Sequence, residues 1–319
     1  MIERVAFAAS LAALLMLIAG RVGIPFLRQA GARKAIREEA PARHQTKAGT
    51  PTMGGVFIVL AATITAVLTL QGLPIGAGLA VLIMLGYGAV GAADDLLGIR
   101  HGRNLGLRAR ERLAVQIPLA VLAALYVARR PDLGTALILP YYGRLDLGWG
   151  YVVFAILYVV FFANAVNLTD GLDGLAGGTV GIAAGAYAAI ALRVGQPEMA
   201  VLAAAVAGSC LGFVWFNAHP AQVIMGDVGS NALGAVLAAL AIITKTELTL
   251  VIVGLVFVLE GASVLLQVAY FKSTGGRRLF RMTPIHHHFE LAGWTETQTV
   301  TRFWLLAGFA ALFGLTVVF

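Results

Sequence analysis

The sequence predicts an all-α fold: a polytopic integral membrane protein with about ten transmembrane helices, forming one domain over residues 1–319. Three observations carry this. Of 319 residues, 59% are apolar and only 12% charged, whereas soluble domains run near a quarter charged; mean hydropathy is +0.86. Apolar runs of about 20 residues recur, the length of helix that crosses the hydrocarbon core. Only a helix satisfies its own backbone there without closing a barrel. Finally, fifteen of the 23 lysines and arginines fall in alternate loops, as the positive-inside rule requires.

Taken in order, the expected spans are 3–26, 53–72, 75–93, 113–128, 149–166, 175–192, 199–217, 231–245, 248–271 and 301–319. The first run, Val5 to Gly20, lacks a small-residue cleavage site and continues to Pro25, so it reads as a span rather than a cleaved signal. Spans four and eight are the short ones. The segments 27–52, 94–112 and 272–300 carry the basic excess, which places them in the cytoplasm and both termini outside. On the outer side, Pro131, Pro140 and Gly143 in segment 129–148 point to a small hairpin or surface helix. The single cysteine, Cys210, sits in an apolar run, so no disulfide or cysteine metal site arises. Net charge +7 is accounted for by orientation and anionic substrates, not nucleic acid.

The unusual polar residues gather at the cytoplasmic ends of spans, which puts the active site at that face. Asp94 and Asp95 follow a run from Ile75 to Ala93 without one charged side chain. Adjacent carboxylates at a membrane face need a cation, a proton or a substrate. A helix C-terminus is the wrong end for acids, so a base, a nucleophile or a metal-proximal pair is the better reading. Asn167, Asp170 and Asp173 stand in an Asn-x-x-Asp-Gly-x-Asp-Gly segment whose glycines allow tight turning and close approach. It lacks the length and closing Glu of a calcium loop, and Asp173 alone could cap span six. Asp227, flanked by Gly226 and Gly229, is the expected metal ligand, with Ser230 as a cap for span eight. His286, His287 and His288 lack cysteine partners for zinc and follow Arg277, Arg278 and Arg281, which fits a phosphate-binding or proton-handling loop. Lys47 and Thr52, at the mouth of span two, read as anion or nucleotide contacts. Glu260 is the one clear mid-span acid; paired with a neighbouring donor, it takes no catalytic role. A transporter would instead show internal repeats and several midplane charges.

This ordered set, from His44–Gly55 through Asp94 and Asp95, Asn164–Ala176 and Phe216–Gly229 to Pro284–Glu290, resembles the phospho-N-acetylmuramoyl-pentapeptide transferases. These are a branch of the polyprenyl-phosphate N-acetylhexosamine-1-phosphate transferases, and the resemblance covers essentially the whole chain. It implies transfer of phospho-MurNAc-pentapeptide from UDP-MurNAc-pentapeptide to undecaprenyl phosphate, giving lipid I and UMP, with Mg²⁺ as cofactor. It also implies a homodimer in the bacterial cytoplasmic (inner) membrane. Carried over, Asp227 holds Mg²⁺, while Asp94 and Asp95 deprotonate or position the lipid phosphate. His286 and His287 assist at the phosphates, and Lys47, Thr52, Asn167, Asp170, Asp173 and His288 line or order the substrate pocket. The pair is thus expected to handle the acceptor rather than anchor the ion. Ile224 stands where the family often has an aromatic residue to stack on uracil, and Ile has no π-face. The nearest competing activity is a sibling transferase of GlcNAc-1-phosphate to the same lipid. Direct displacement is the expected route, since a lipid phosphate is already largely ionised near neutral pH.

Overall fold

The computed structural model describes residues 1–32, 49–70, 72–101 and 106–318. The elements run α1 (Ile2–Gln29), α2 (Gly55–Thr69), α3 (Ile75–His101), α4 (Ala109–Arg129), β1 (Ala136–Leu139), β2 (Gly143–Asp146), α5 (Gly150–Thr169), α6 (Leu175–Arg193) and α7 (Pro197–Asn217). They continue α8 (Gly226–Ile243), α9 (Glu247–Val253), α10 (Leu255–Ser273), α11 (Ile285–Leu291) and α12 (Glu296–Thr316). Among the described residues, nine helices are long and apolar enough to cross a membrane. A tenth apolar helix, α2, has only 15 residues, about 22 Å of rise against roughly 30 Å of hydrocarbon. The short span is therefore the second, not the fourth or eighth.

Several boundaries differ from the sequence reading, each for a local reason. α3 runs on to His101, so Asp94 and Asp95 lie inside a helix rather than at its end. α8 starts at Gly226, five residues before the expected span. Ser230 is consequently inside the helix and does not cap it; its hydroxyl donates to the Gly226 carbonyl at 3.0 Å. α6 begins after Gly174, whose left-handed φ of 81° turns the chain, so Asp173 is no cap either. α12 begins at Glu296 because Thr295 and Gln298 form a reciprocal capping box. The ninth span is divided at Gly254 into α9 and α10. The bonds from Gly254 N–H to Leu250 and from Val258 N–H to Gly254 persist, so this is a kink and not an unwound stretch.

Lipid gives no hydrophobic drive between helices, so close packing must hold them. On α1, Ala8, Ala12, Met16, Gly20 and Ile24 recur every fourth residue and are buried, while Phe7, Leu14, Ile18 and Val22 are exposed. The buried stripe meets Gly208 and Gly212 of α7, where a Cβ would run into the Ala9 and Ala13 carbonyls. α8 is the centre of the bundle: every residue from Gly226 to Ile243 is buried except Asp227.

Of the two forms expected for the segment between α4 and α5, a hairpin or a surface helix, it takes the hairpin, β1 pairing antiparallel with β2. Asp146 accepts hydrogen bonds from the Thr135 hydroxyl at 2.6 Å and the Gly148 N–H at 3.0 Å, which hold its carboxyl below the ordinary carboxylate range. At this end of the bundle Lys245 Nζ lies 3.1 Å from Glu247 Oε1 and 3.7 Å from the centroid of the Tyr151 ring. Burial pushes the Lys245 ammonium down, opposed by the Glu247 charge.

Candidate active site

At the opposite end, two helices, α3 and α8, deliver three carboxylate groups to one place. Carboxylate oxygens of Asp94, Asp95 and Asp227 all lie within 4.8 Å of one another. The approach depends on Gly91, one turn before the pair: a Cβ there would collide with the Asp227 backbone. Without a side chain at 91, α3 closes onto the first turn of α8. Asp94 and Asp95 are both 0% exposed, whereas the Asp227 side chain keeps 16%. In a helix otherwise wholly buried, Asp227 is the residue that opens outward.

Three like charges at this distance need compensation, and Arg112 on α4 supplies part of it. Its Nη2 lies 2.8 Å from Asp94 Oδ1 and 3.1 Å from Asp227 Oδ2, with Nε 3.1 Å from Asp94 Oδ1. Asp94 Oδ1 also accepts the Leu107 N–H at 2.7 Å. Asp95 Oδ2 accepts the Val228 N–H at 3.2 Å, a backbone donor at the positive end of α8. Thr52 is buried beside Gly226: its Oγ1 and Asp95 Oδ2 approach the same point, at 2.8 and 2.6 Å from where a Cβ would sit. Among the described residues the Thr52 hydroxyl has no hydrogen-bond partner.

Below the carboxylates lies a buried amide chain. Asn164 donates to Gln116 Oε1 at 3.3 Å, Gln116 to Asn231 Oδ1 at 3.2 Å, and Asn231 to the Asp227 carbonyl at 2.8 Å. Fully joined polar networks of this kind lock a single arrangement. Asn167 reaches the same turn of α8 through Ser230, Nδ2 to Oγ at 2.8 Å.

The remaining expected residues divide between two neighbouring places. Asp170 ends α5, and beside it Gly171 packs directly on the imidazole of His286. His286 is 0% exposed, its Nδ1 3.1 Å from Glu260 Oε2. Glu260 thus has the neighbouring donor expected of it. Asp173 points elsewhere: its Oδ2 lies 3.1 Å from His219 Nδ1 and accepts the Ala221 N–H at 3.1 Å. The Asp173 N–H donates to Glu296 Oε1 at 2.9 Å. Together Asp173, His219 and Glu296 form a second cluster, separate from the three aspartates. His287 and His288 sit on the short helix α11 and engage their own surroundings. His287 Nδ1 is 2.9 Å from Glu290 Oε2, and His288 Nδ1 accepts the Arg281 N–H at 3.2 Å. Ile224 is tied to the Thr52 segment, its N–H donating to Pro51 and its carbonyl accepting from Gly54. Lys47 and His44 lie outside the described residues.

Arg112, Gln116, Asn231, His219, Glu290 and Glu296 escaped the sequence reading. Arg112 was counted only as loop charge, because its place in α4's first turn depends on a helix start four residues earlier than expected. Gln116 and Asn231 did carry a signal, being amides within apolar spans. Glu296 follows the legible capping box of Thr295 and Gln298.

The chemistry of this donor set is hard oxygen ligands, a fixed guanidinium and helix N-terminal amides, which suits a divalent cation and phosphate groups. Comparison with known proteins identifies the chain's relatives. The family model for glycosyl transferase family 4 matches residues 77–245, and phospho-N-acetylmuramoyl-pentapeptide-transferase signature 1 matches residues 47–59. The phospho-N-acetylmuramoyl-pentapeptide-transferase of Geobacillus thermodenitrificans is 47% identical over 308 residues, covering 95% of this chain and 94% of that protein. That of Geobacillus kaustophilus is 45% identical over 321 residues, covering 99% and 98%. That of Desulforamulus reducens is 47% identical over 314 residues, covering 97% and 94%.

Proposed function

Because the chain belongs to the phospho-N-acetylmuramoyl-pentapeptide transferases of glycosyl transferase family 4, we propose that its active site is the cluster of Asp94, Asp95 and Asp227 with Arg112. The enzyme transfers phospho-MurNAc-pentapeptide from UDP-MurNAc-pentapeptide to undecaprenyl phosphate, releasing UMP and forming lipid I for peptidoglycan. The sibling GlcNAc-1-phosphate activity is not favoured, since signature and relatives alike belong to the muramoyl-pentapeptide branch.

The observation that carries the site is the meeting of three aspartates at one end of an apolar bundle, with Asp227 open and the pair buried. Mg²⁺ is the cofactor of this reading; Asp227, beside Asp94 and Asp95, would hold it, and bound there it would neutralise phosphoryl charge. The chain's own part is positional. Arg112 spans Asp94 and Asp227 and offers a planar cation to a phosphoryl oxygen. Asp95, fixed by the Val228 N–H, and Asp94, fixed by Leu107 and Arg112, keep the acceptor phosphate in line. The phosphate handled by the pair and the cation held at Asp227 are then neighbours within one cluster. A lipid phosphate that is already ionised needs orientation more than a strong base, so direct displacement follows. On this reading the nucleotide is cytoplasmic and this end of the bundle faces inward in the bacterial inner membrane, which the basic loops support.

The test is UMP release from UDP-MurNAc-pentapeptide by the purified enzyme, with and without undecaprenyl phosphate. Release that depends on the lipid supports direct displacement. Stoichiometric release without it would establish a covalent phosphoryl-enzyme instead.

A further inference from the structure

Glu260 and His286 are both 0% exposed, and the aspartate cluster does not involve them. Taken as an ionised carboxylate, Glu260 only accepts hydrogen bonds, which assigns the proton between His286 Nδ1 and Glu260 Oε2, 3.1 Å apart, to the imidazole. That leaves Nε2 as the ring's second working atom. Among the described residues it is buried without a hydrogen-bond partner, and so is Glu260 Oε1. An orphaned buried polar atom is destabilising, and a dyad with two of them is poor stabilising architecture. It is suitable architecture for a group that meets its partner during the reaction.

The direction of Nε2 says where that partner comes from. The nitrogen lies against Gly171, on the side where a side chain would project; a Cβ at 171 would strike Nε2 and sit 2.8 Å from Cε1. Gly171 follows Asp170 on the turn that leaves α5, and α5 carries Asn167, which is bonded to the first turn of α8. The His287 ring packs 4.1 Å from that of His286, centroid to centroid, and blocks the ring from swinging aside. With Nδ1 tied to the carboxylate, Nε2 has one direction left.

Resting on the transferase reading above, we infer that Glu260 is a positioning residue for His286. It pins the Nδ1–H so that Nε2–H is presented at the Asp170–Gly171 turn to an anionic oxygen of the diphosphate substrate. The imidazole then carries a proton on each nitrogen, one held by Glu260 and one donated to the phosphoryl oxygen, and no proton leaves the pair during turnover. Glu260 never touches substrate; its effect passes through His286.

The experiment is a double-mutant cycle on the whole enzyme in detergent with Mg²⁺, UDP-MurNAc-pentapeptide and undecaprenyl phosphate, reading UMP release for Glu260→Gln, His286→Gln and the double variant. Glu260→Gln is expected to lower kcat about 10²-fold while KM for the nucleotide substrate moves less than about threefold. In the His286→Gln background the same change should cost no more than about threefold further. Glu260→Asp, which keeps the charge, should lose less than Glu260→Gln, a ranking that misfolding would not produce; binding of UMP checks that each variant is folded. Glu260→Gln at full kcat beside a crippled His286→Gln overturns the inference, as do losses that multiply or a loss confined to KM. An unaltered enzyme that releases no UMP overturns the transferase reading itself, which is a different result.

Discussion

The two ends of the bundle each bury charge, and they do so in opposite ways. At the hairpin end, Lys245 and Glu247 form a closed unit. Tyr151 donates to Glu247 Oε1 at 2.5 Å, Tyr158 to the Glu247 carbonyl at 2.6 Å, and Lys245 to the Gly134 carbonyl at 3.3 Å. At the aspartate end Arg112 bridges two of three clustered carboxylates, and Asp227 opens outward. Nearby, among the described residues, the Thr52 hydroxyl and His286 Nε2 are buried without hydrogen-bond partners. A satisfied pair closes a structure, whereas a cluster that opens outward beside unpaired buried donors can take a ligand. The contrast separates stability from chemistry within one fold.

The largest effect that would sharpen this contrast is at the aspartate end. Asp227→Asn is expected to cut UMP release at least about 10³-fold, roughly 4 kcal/mol, with the melting temperature in detergent almost unmoved. A variant retaining full turnover would break the comparison outright. At the hairpin end the balance should reverse. Glu247→Gln strands the Lys245 ammonium and is expected to cost about 3–5 kcal/mol of stability, seen as a lower melting temperature, while kcat per folded enzyme holds. Lys245→Met combined with Glu247→Leu should recover most of that loss.

Arg112→Gln is expected to act on both quantities, since it removes the cation shared by Asp94 and Asp227. Turnover should fall about 10²-fold. The rise in melting temperature produced by added Mg²⁺ should grow, because a more negative cluster binds the cation more tightly. A variant whose Mg²⁺ response is unchanged would separate Arg112 from the metal. The smallest effect lies in the hairpin. The Asp146 carboxyl is held below its unfolded value, so its stabilisation is present above that value and lost as pH falls through the folded one. Thr135→Val should therefore lower the melting temperature slightly at neutral pH, and by progressively less as pH falls below the unfolded carboxylate range.

Much of this was legible in the residues. Apolar runs located the helices, and Pro140 and Gly143 marked the segment between α4 and α5 as a hairpin or a surface helix without choosing between them. Asp94, Asp95 and Asp227 stood out as carboxylates beside apolar runs. What was not legible is how these groups face one another. Asp173 shares a motif with Asp170, yet its carboxylate turns to His219 and Ala221 because Gly174 redirects the chain and Glu296 holds the Asp173 N–H. Three consecutive histidines look equivalent in the chain, yet α11 sends His286 to Glu260, His287 to Glu290 and His288 to the Arg281 backbone.

The sequence by itself determined the all-α membrane architecture and the residue types of the site, because in lipid each span must satisfy its own backbone and cannot carry charge without use. Those are local constraints, readable from one segment at a time. Only the tertiary structure decided that Asp94 and Asp95 share a cluster with Asp227, that Arg112 bridges it, and that Glu260 faces His286. These depend on how closely α3 approaches α8 at Gly91 and how α10 meets α11, and such contacts join residues far apart in the chain that have no local pattern in common.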